Sequence, residues 1–520
     1  MNYAMVLNQF GLLSSLLAAI MLIMAGAFVA LGPIADEHPD ANAILALCFA
    51  GAITLAFGGA SWWTTRRGSQ FLGRKEALLL VAVSWLGGAA VSGLPYWFWA
   101  RLAHGAGTSH PFVDYASCYF EAMSGLTTTG ATVLSDIESV PHSLLLWRSL
   151  THWLGGLGII VLFVAVLPGL GVGGKRLFQI ESPGPAPEGL QPQVRETARR
   201  LWYIYMGLTL LEIAALWTLT PMTVYESVCH TFATLATGGF STRGASIGAY
   251  YDTPAVDWIV IVFMVLAGMN FGLFYQLLRG NWRRLLEDVE LRVYLAIMLA
   301  GVLLVTLIVA TDDAPPVLTT GEPLAAGAGE AFRQSTFTTV SIQTTTGFCT
   351  SDFNRWPFLA KAILITLMFI GGCSGSTAGG VKVIRAWIAF KVLRAEIEHV
   401  FRPHVIRPLK VGRTTVHPEL RLGAVVYLVS VGLIFALGSV SLMLCEQLFS
   451  ETACDYTSAS TACVATMFNV GPGFSRVGAI ENYGWFSSAS KWIMSLLMAL
   501  GRLELFAIFV LCSPKFWRRE

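Results

Sequence analysis

Long apolar stretches alternate with short polar ones along nearly the whole chain. A window of roughly 20 apolar residues is enough to cross a hydrocarbon core. Ten such windows can be read: Leu12 to Leu31, Ala43 to Trp63, Ala77 to Trp99, Leu144 to Leu167, Leu201 to Leu219, Val256 to Leu278, Leu291 to Ala310, Phe358 to Gly371, Leu422 to Leu444 and Ala489 to Leu511. The eighth is short. The first lacks the basic flank of a signal peptide and is too long for one, so it reads as a retained span.

A second kind of segment recurs between the spans. It is about 12 residues long, moderately apolar and rich in small, Thr and aromatic residues, as in YASCYFEAMSGL, YESVCHTFATLA and GEAFRQSTFTTVSIQ. Each is too short to span, and an acid lies near its start: Glu121, Glu226, Glu330 or Glu451. Each runs into a Gly-containing loop: TTTGAT (127–132), ATGGFS (236–241), TTTGFC (344–349) and NVGPGF (469–474). Gly130, Gly239, Gly347 and Gly471 are separated by 109, 108 and 124 residues. One Thr-Gly string is ordinary loop punctuation. Four in the same slot are an internal repeat: span, short re-entrant helix, loop, span. The pattern divides the chain into a two-helix hairpin (1–70) and four units at 71–190, 191–284, 285–400 and 401–520.

Composition agrees with a membrane solvent. The 520 residues are 55% hydrophobic and 13% charged, against about 25% charged in soluble domains. The net charge of +2 does not suggest a nucleic-acid partner. Lys and Arg concentrate in alternate loops. They include Arg66 and Lys75, Lys175 and Arg200, Arg279 and Arg292, nine residues between Lys382 and Arg421, and Lys515 to Arg519. Those loops and both termini are therefore expected in the cytoplasm. The nine Cys and nine His show neither a CxxC pair nor HExxH, so metal or redox chemistry is not indicated and no enzymatic activity is expected.

Irregular backbone at membrane depth survives only when buried in protein or lining a water-filled path. A dehydrated cation needs replacement oxygens, since stripping its water costs tens of kcal/mol in a low dielectric. Gly lets carbonyls turn toward one axis, and Thr hydroxyls add oxygen at the mouth. The candidate ligand groups are Thr128, Thr129 and Gly130; Thr237, Gly238 and Gly239; Thr345, Thr346 and Gly347; and Asn469, Val470 and Gly471. No carboxylate lies in these loops, which argues against a divalent-cation site. With these residues the chain resembles the Trk/Ktr/HKT superfamily of potassium transporters over nearly its whole length. The added N-terminal hairpin is similar to that of bacterial Trk-type membrane subunits. The resemblance implies an all-α polytopic membrane protein, with about ten transmembrane helices and four re-entrant pore helices in four pseudo-repeated units around a central pore. It also implies K⁺ as the transported ion, one filter glycine per repeat, a location in the bacterial inner membrane and a homodimer. In the second loop Gly239 is chosen over Gly238 because it precedes Phe240, as Gly347 precedes Phe348.

The short eighth span ends in GGCSGSTAGGVK (371–382), which cannot easily stay helical. A passive kink is one reading. The other is an intramembrane gate under the filter, carried by Gly371, Gly372, Ser374, Gly375, Ser376, Gly379 and Gly380. The resemblance favours the gate, since the family has such a loop in the second helix of its third repeat. Arg502, in the last span, is a functional candidate by its depth and is expected to face the pore below the filter. It matches an arginine of the family's last helix. Arg148, near the outer end of its span, is expected to snorkel. The resemblance further implies a cytoplasmic nucleotide-binding subunit of the TrkA type docking on the basic loops. A secondary solute or cation symporter, with its binding site at the 371–382 break, is the competing class.

Overall fold

The computed structural model describes residues 1–35, 40–66, 73–105, 110–156, 158, 194–312, 315–324, 327–403, 408–412, 414–450 and 453–518. Glu451, Lys175, Arg176 and the later part of the fourth expected span lie outside the described residues.

Among the described residues, six helices are long and apolar enough to cross a bilayer: Tyr3–Ala30, Ala41–Thr65, Lys75–Ala103, Ala198–Leu219, Val289–Ala310 and Pro418–Phe449. Their outward faces show large apolar side chains at helical spacing, such as Leu299, Leu303 and Leu307, or Val429, Leu433 and Leu437. In water such faces would be an aggregation liability; in lipid they are the solvated side. The first two helices pack as an antiparallel hairpin against the third. The remaining three long helices each open one repeat.

Four short helices, Tyr115–Leu126, Val224–Leu235, Ala328–Gln343 and Tyr456–Met467, form the buried centre. In the first of them every residue after Tyr115 is buried. Polar caps fix where three of them begin. Asp114, Thr223 and Asp455 accept backbone N–H bonds from the first turn, and Thr223 forms a reciprocal capping box with Glu226. Each cap satisfies donors that would otherwise be orphaned at membrane depth.

Among the described residues, the second helix of every repeat is shorter or broken. His142–Gly156 serves the first repeat and Phe358–Phe369 the third, which resumes as Val383–Phe401 after the glycine-rich segment. Two spans expected to be continuous are bent. Pro254–Ala267 and Phe271–Leu278 meet at 94°, and Ser488–Arg502 and Phe506–Cys512 at 112°. At the first bend Asn270 starts a new helix by accepting the Gly272 N–H at 2.7 Å. At the second, Glu504 and Leu505 take left-handed φ of 50° and 68°, and the Leu505 N–H returns to Leu500 O at 2.8 Å. Neither break contains a proline or a glycine pair, which is why apolar periodicity resumes on both sides of them.

Candidate ion pore

The four loops are built alike. Each short helix ends in a six-to-one cap. Thr129 N–H reaches Ser124 O at 2.8 Å, Gly238 N–H reaches Ala233 O at 2.8 Å, Thr346 N–H reaches Ser341 O at 2.9 Å and Val470 N–H reaches Ala465 O at 2.9 Å. The residue before each of these donors is left-handed: Thr128, Thr237, Thr345 and Asn469, at φ 55°, 53°, 57° and 56°. The residue after it is a left-handed glycine: Gly130, Gly239, Gly347 and Gly471, at 81°, 76°, 80° and 101°. Glycine takes this backbone freely, whereas Thr or Asn pays roughly 1–2 kcal/mol.

These glycines close a ring. A Cβ on Gly130 would lie 2.1 Å from Gly238 O, one on Gly239 2.1 Å from Thr346 O, one on Gly347 2.0 Å from Val470 O, and one on Gly471 2.6 Å from Thr129 O. Each loop therefore packs its glycine on the carbonyl preceding the next loop's glycine, in chain order, and the fourth returns to the first. No side chain fits between them. The C-terminal ends of four helix dipoles meet at this ring, and negative partial charge there favours a cation. On one side the ring opens into a funnel lined by the four glycines together with residues such as Ser241, Glu481 and Tyr483. Behind the ring a chain of donors runs from the Asn469 amide to Thr129 Oγ1 (2.9 Å), on to Thr127 Oγ1 (2.8 Å) and then to Met123 O (2.6 Å).

Gly238 has a separate reason to be glycine. The His152 ring occupies the space its Cβ would need, at 2.5 Å, while His152 Nδ1 sits 2.7 Å from Gly125 O. His152 is thus a packed tie between the first and second repeats. Among the described residues no three His, Cys, Asp or Glu side chains gather as metal ligands.

Each strand leaving the ring is braced by a side chain of its own short helix, but with different chemistry. Glu121 accepts the Val133 N–H and the Thr132 hydroxyl, both at 2.9 Å. His230 Nε2 meets Ser241 Oγ at 3.0 Å, Gln334 Oε1 accepts the Thr350 hydroxyl at 2.5 Å, and Thr461 Oγ1 accepts the Phe474 N–H at 3.0 Å. Arg148 corrects an expectation: it is 2% exposed and does not snorkel. Its Nε donates to Glu121 at 2.6 Å, its Nη1 to Ser241 O at 3.1 Å, and its guanidinium lies 3.4 Å from the Phe240 ring centre. The pair clamps the first loop to the second. Breaking one partner of a buried pair costs about 3–5 kcal/mol, while replacing both by apolar groups costs much less. Arg148→Ala is therefore expected to lower thermal stability in detergent more than Arg200→Ala, whose ion pair with Glu196 is exposed. The two melting curves check this.

Below the ring lies the glycine-rich loop. Its neck is two strands in contact: the Gly371 N–H donates to Val381 O at 3.1 Å, and a Cβ on Gly371 would lie 2.1 Å from Gly379 O. Gly379 N–H donates to Thr345 Oγ1 at 2.7 Å and Gly380 N–H to Phe468 O at 3.0 Å, so the loop abuts the underside of the third and fourth loops. Ser374 N–H donates to Glu290 Oε1 (2.6 Å) and the Ser376 hydroxyl to Cys373 O (2.6 Å). Gly375, at φ 72°, accepts the Phe271 N–H at 3.1 Å, and Gly372 packs against Gly268 O. Arg502 reaches Thr377 O (2.7 Å), Gly155 O (2.7 Å), Gly156 O (2.9 Å) and Thr128 Oγ1 (3.1 Å). It bridges the glycine-rich loop, the end of the first repeat's second helix and the underside of the first pore loop. Glu504 pairs instead with Arg385.

The structure thus brings the twelve loop residues to one ring and the glycine-rich segment with Arg502 directly beneath it. Sequence reasoning missed Glu290, which holds two N–H groups, those of Ser374 and Ile384. It missed Thr377, whose hydroxyl donates to Leu235 O at 2.9 Å. An acid in the first turn of an apolar span was the available signal for Glu290.

Comparison with known proteins places this architecture. The family model TrkH, described as a cation transport protein, matches residues 45–519. The Trk system potassium uptake protein TrkH of Salmonella typhimurium is 37% identical over 474 residues, covering 90% of this chain and 91% of that protein. The protein of that name from Escherichia coli K12 is 36% identical over 473 residues, with 90% and 91% covered. The potassium uptake protein TrkI of Halomonas elongata is 33% identical over 487 residues, with 94% and 92% covered. The crystal structure of the potassium transporter TrkH from Vibrio parahaemolyticus superposes with a TM-score of 0.83 at 30% identity, covering 100% of both chains.

Proposed function

The chain belongs to the TrkH family of cation transport proteins, and on that premise we propose that it takes up K⁺ through the central ring of its four Gly-containing loops. The observation that carries the proposal is the closed ring itself: four glycines each seated on the next loop's carbonyl. Backbone oxygens of Thr129 to Gly130, Gly238 to Gly239, Thr346 to Gly347 and Val470 to Gly471 replace the hydration shell of the ion. With one left-handed glycine per loop, the filter is short.

The loop 371–382 is the gate, and Arg502 is its latch and a positive barrier on the cytoplasmic side. Opening requires the loop to leave the underside of the ring. The helix Val383–Phe401 follows the loop directly, so a cytoplasmic nucleotide-binding subunit of the TrkA type acting on it pulls on the gate. As the family resemblance implies, two chains assemble side by side in the inner membrane, each with its own pore and with both termini in the cytoplasm. Pumping is not needed: a 100-fold inward accumulation costs about 2.7 kcal/mol, and a potential of about 150 mV supplies roughly 3.5 kcal/mol.

The test is flux into liposomes loaded with the purified chain, using K⁺, Rb⁺ and Na⁺ in turn. K⁺ and Rb⁺ are expected to pass faster than Na⁺. Absence of K⁺ and Rb⁺ flux with and without the cytoplasmic partner would sink the proposal.

A further inference from the structure

The ring is covalently continuous from repeat to repeat except at one junction, where the fourth loop meets the first. That seam also leaves the most room: a Cβ on Gly471 would lie 2.6 Å from Thr129 O, against 2.0–2.1 Å at the other three junctions, and Gly471 has the largest φ of the four glycines. Asn469 ties its inner side through the Thr129 hydroxyl, and Tyr483 ties its outer side. Tyr483, 2% exposed, donates its hydroxyl to Gly471 O at 2.7 Å on the fourth loop and its backbone N–H to Thr132 O at 2.8 Å on the first. Its ring lies beside those of Phe120 (5.5 Å) and Phe486 (5.9 Å), and the next residue, Gly484, sits where a Cβ would be 2.6 Å from Val133 O.

We infer that Tyr483 is a positioning residue for the outermost cation site, setting the width of the ring at its open seam. The inference rests on the pore reading above. A filter discriminates between alkali cations through the spacing and number of its oxygens. The phenol does two things to one of them: it occupies a lone pair of Gly471 O and holds that carbonyl at a fixed distance from the first loop. Without the hydroxyl, this junction loses its outer tie while the inner one, Asn469 to Thr129, remains. The ring can then contract around the smaller Na⁺.

The experiment is Tyr483→Phe, which keeps the ring stack and removes only the hydroxyl. Wild type, Tyr483→Phe and Phe486→Leu are reconstituted in parallel liposomes, and K⁺, Rb⁺ and Na⁺ fluxes are measured with half-saturation and maximal rate separated. One neutral hydrogen bond corresponds to roughly a three- to tenfold effect. The K⁺/Na⁺ ratio of Tyr483→Phe is expected to fall by about that factor, with the change in half-saturation rather than maximal rate. Phe486→Leu, which thins the same stack without touching the phenol, should keep the wild-type ratio. An unchanged ratio in Tyr483→Phe, or an equal fall in Phe486→Leu, overturns the inference while leaving the pore intact. A wild type that passes no K⁺ overturns the pore reading, and this inference with it. Should Tyr483→Phe not yield a monodisperse protein, Gly484→Ala presses the same turn off Val133 O; an unchanged ratio there overturns the inference equally.

Discussion

Gly347→Ala is expected to reduce K⁺ flux by at least about 100-fold, or to erase the preference for K⁺ over Na⁺ in whatever flux remains. Three costs fall on one methyl group. It would stand 2.0 Å from Val470 O and 2.8 Å from Pro472 Cδ, and the backbone at φ 80° is one that an L side chain adopts only under strain. The left-handed backbone alone is worth about 1–2 kcal/mol. The contact is worse, because the obstructing atom is a main-chain carbonyl that cannot rotate out of the way. Relief requires the third and fourth loops to part by about an ångström, and misplacement of that size at a site of fixed geometry costs on the order of 100-fold. Gly423→Ala is the control, since nothing lies within 4 Å of its Cβ position on the outer helix of the last repeat. Both variants should elute as wild type does in detergent. Wild-type flux and selectivity in Gly347→Ala would remove the ring from the mechanism.

Much of this architecture was legible in the sequence because membrane burial leaves a strong one-dimensional trace. Spans read as apolar length, and the repeat reads as four Thr/Gly strings in equivalent slots. The family assignment agrees with the one that the motifs suggest. What stayed hidden was whatever repeated in space but not in residue type. The braces behind the ring are a carboxylate at Glu121, an imidazole at His230, an amide at Gln334 and a hydroxyl at Thr461, so no pattern marks them. Arg148 was misread because depth along a helix predicts snorkelling only if the residue faces lipid, and this one faces Glu121 and the second loop. The two bent helices escaped because their breaks are made by left-handed Glu504 and Leu505, or by an Asn270 cap, inside stretches whose apolar character resumes on both sides. Gly238, ambiguous beside Gly239, is explained only by the His152 ring from the neighbouring repeat.

Arg502→Ala is expected to raise K⁺ flux by about tenfold or more, and it tests the proposed gate rather than the proposed filter. Two consequences of the change act in the same direction. The guanidinium now donates to Thr377 O of the glycine-rich loop and also to Gly155 O and Gly156 O of the first repeat, so its removal unfastens the loop from a fixed helix end. It also removes a positive charge from beneath the ring. A unit charge about 5 Å from a passing cation, at an effective dielectric of about 20, raises its energy by roughly 3 kcal/mol, which is more than a factor of 100 in occupancy. Arg502→Lys separates the two contributions. It keeps the charge but replaces a rigid five-donor fork by a single ammonium, which cannot span oxygens on three different segments at once. If the charge dominates, lysine conducts like wild type and alanine conducts faster. If the latch dominates, both variants conduct faster, and shortening the loop between Gly371 and Gly380 should match them. Flux in all three variants equal to wild type, with normal folding, would mean that the glycine-rich loop and its arginine do not limit conduction.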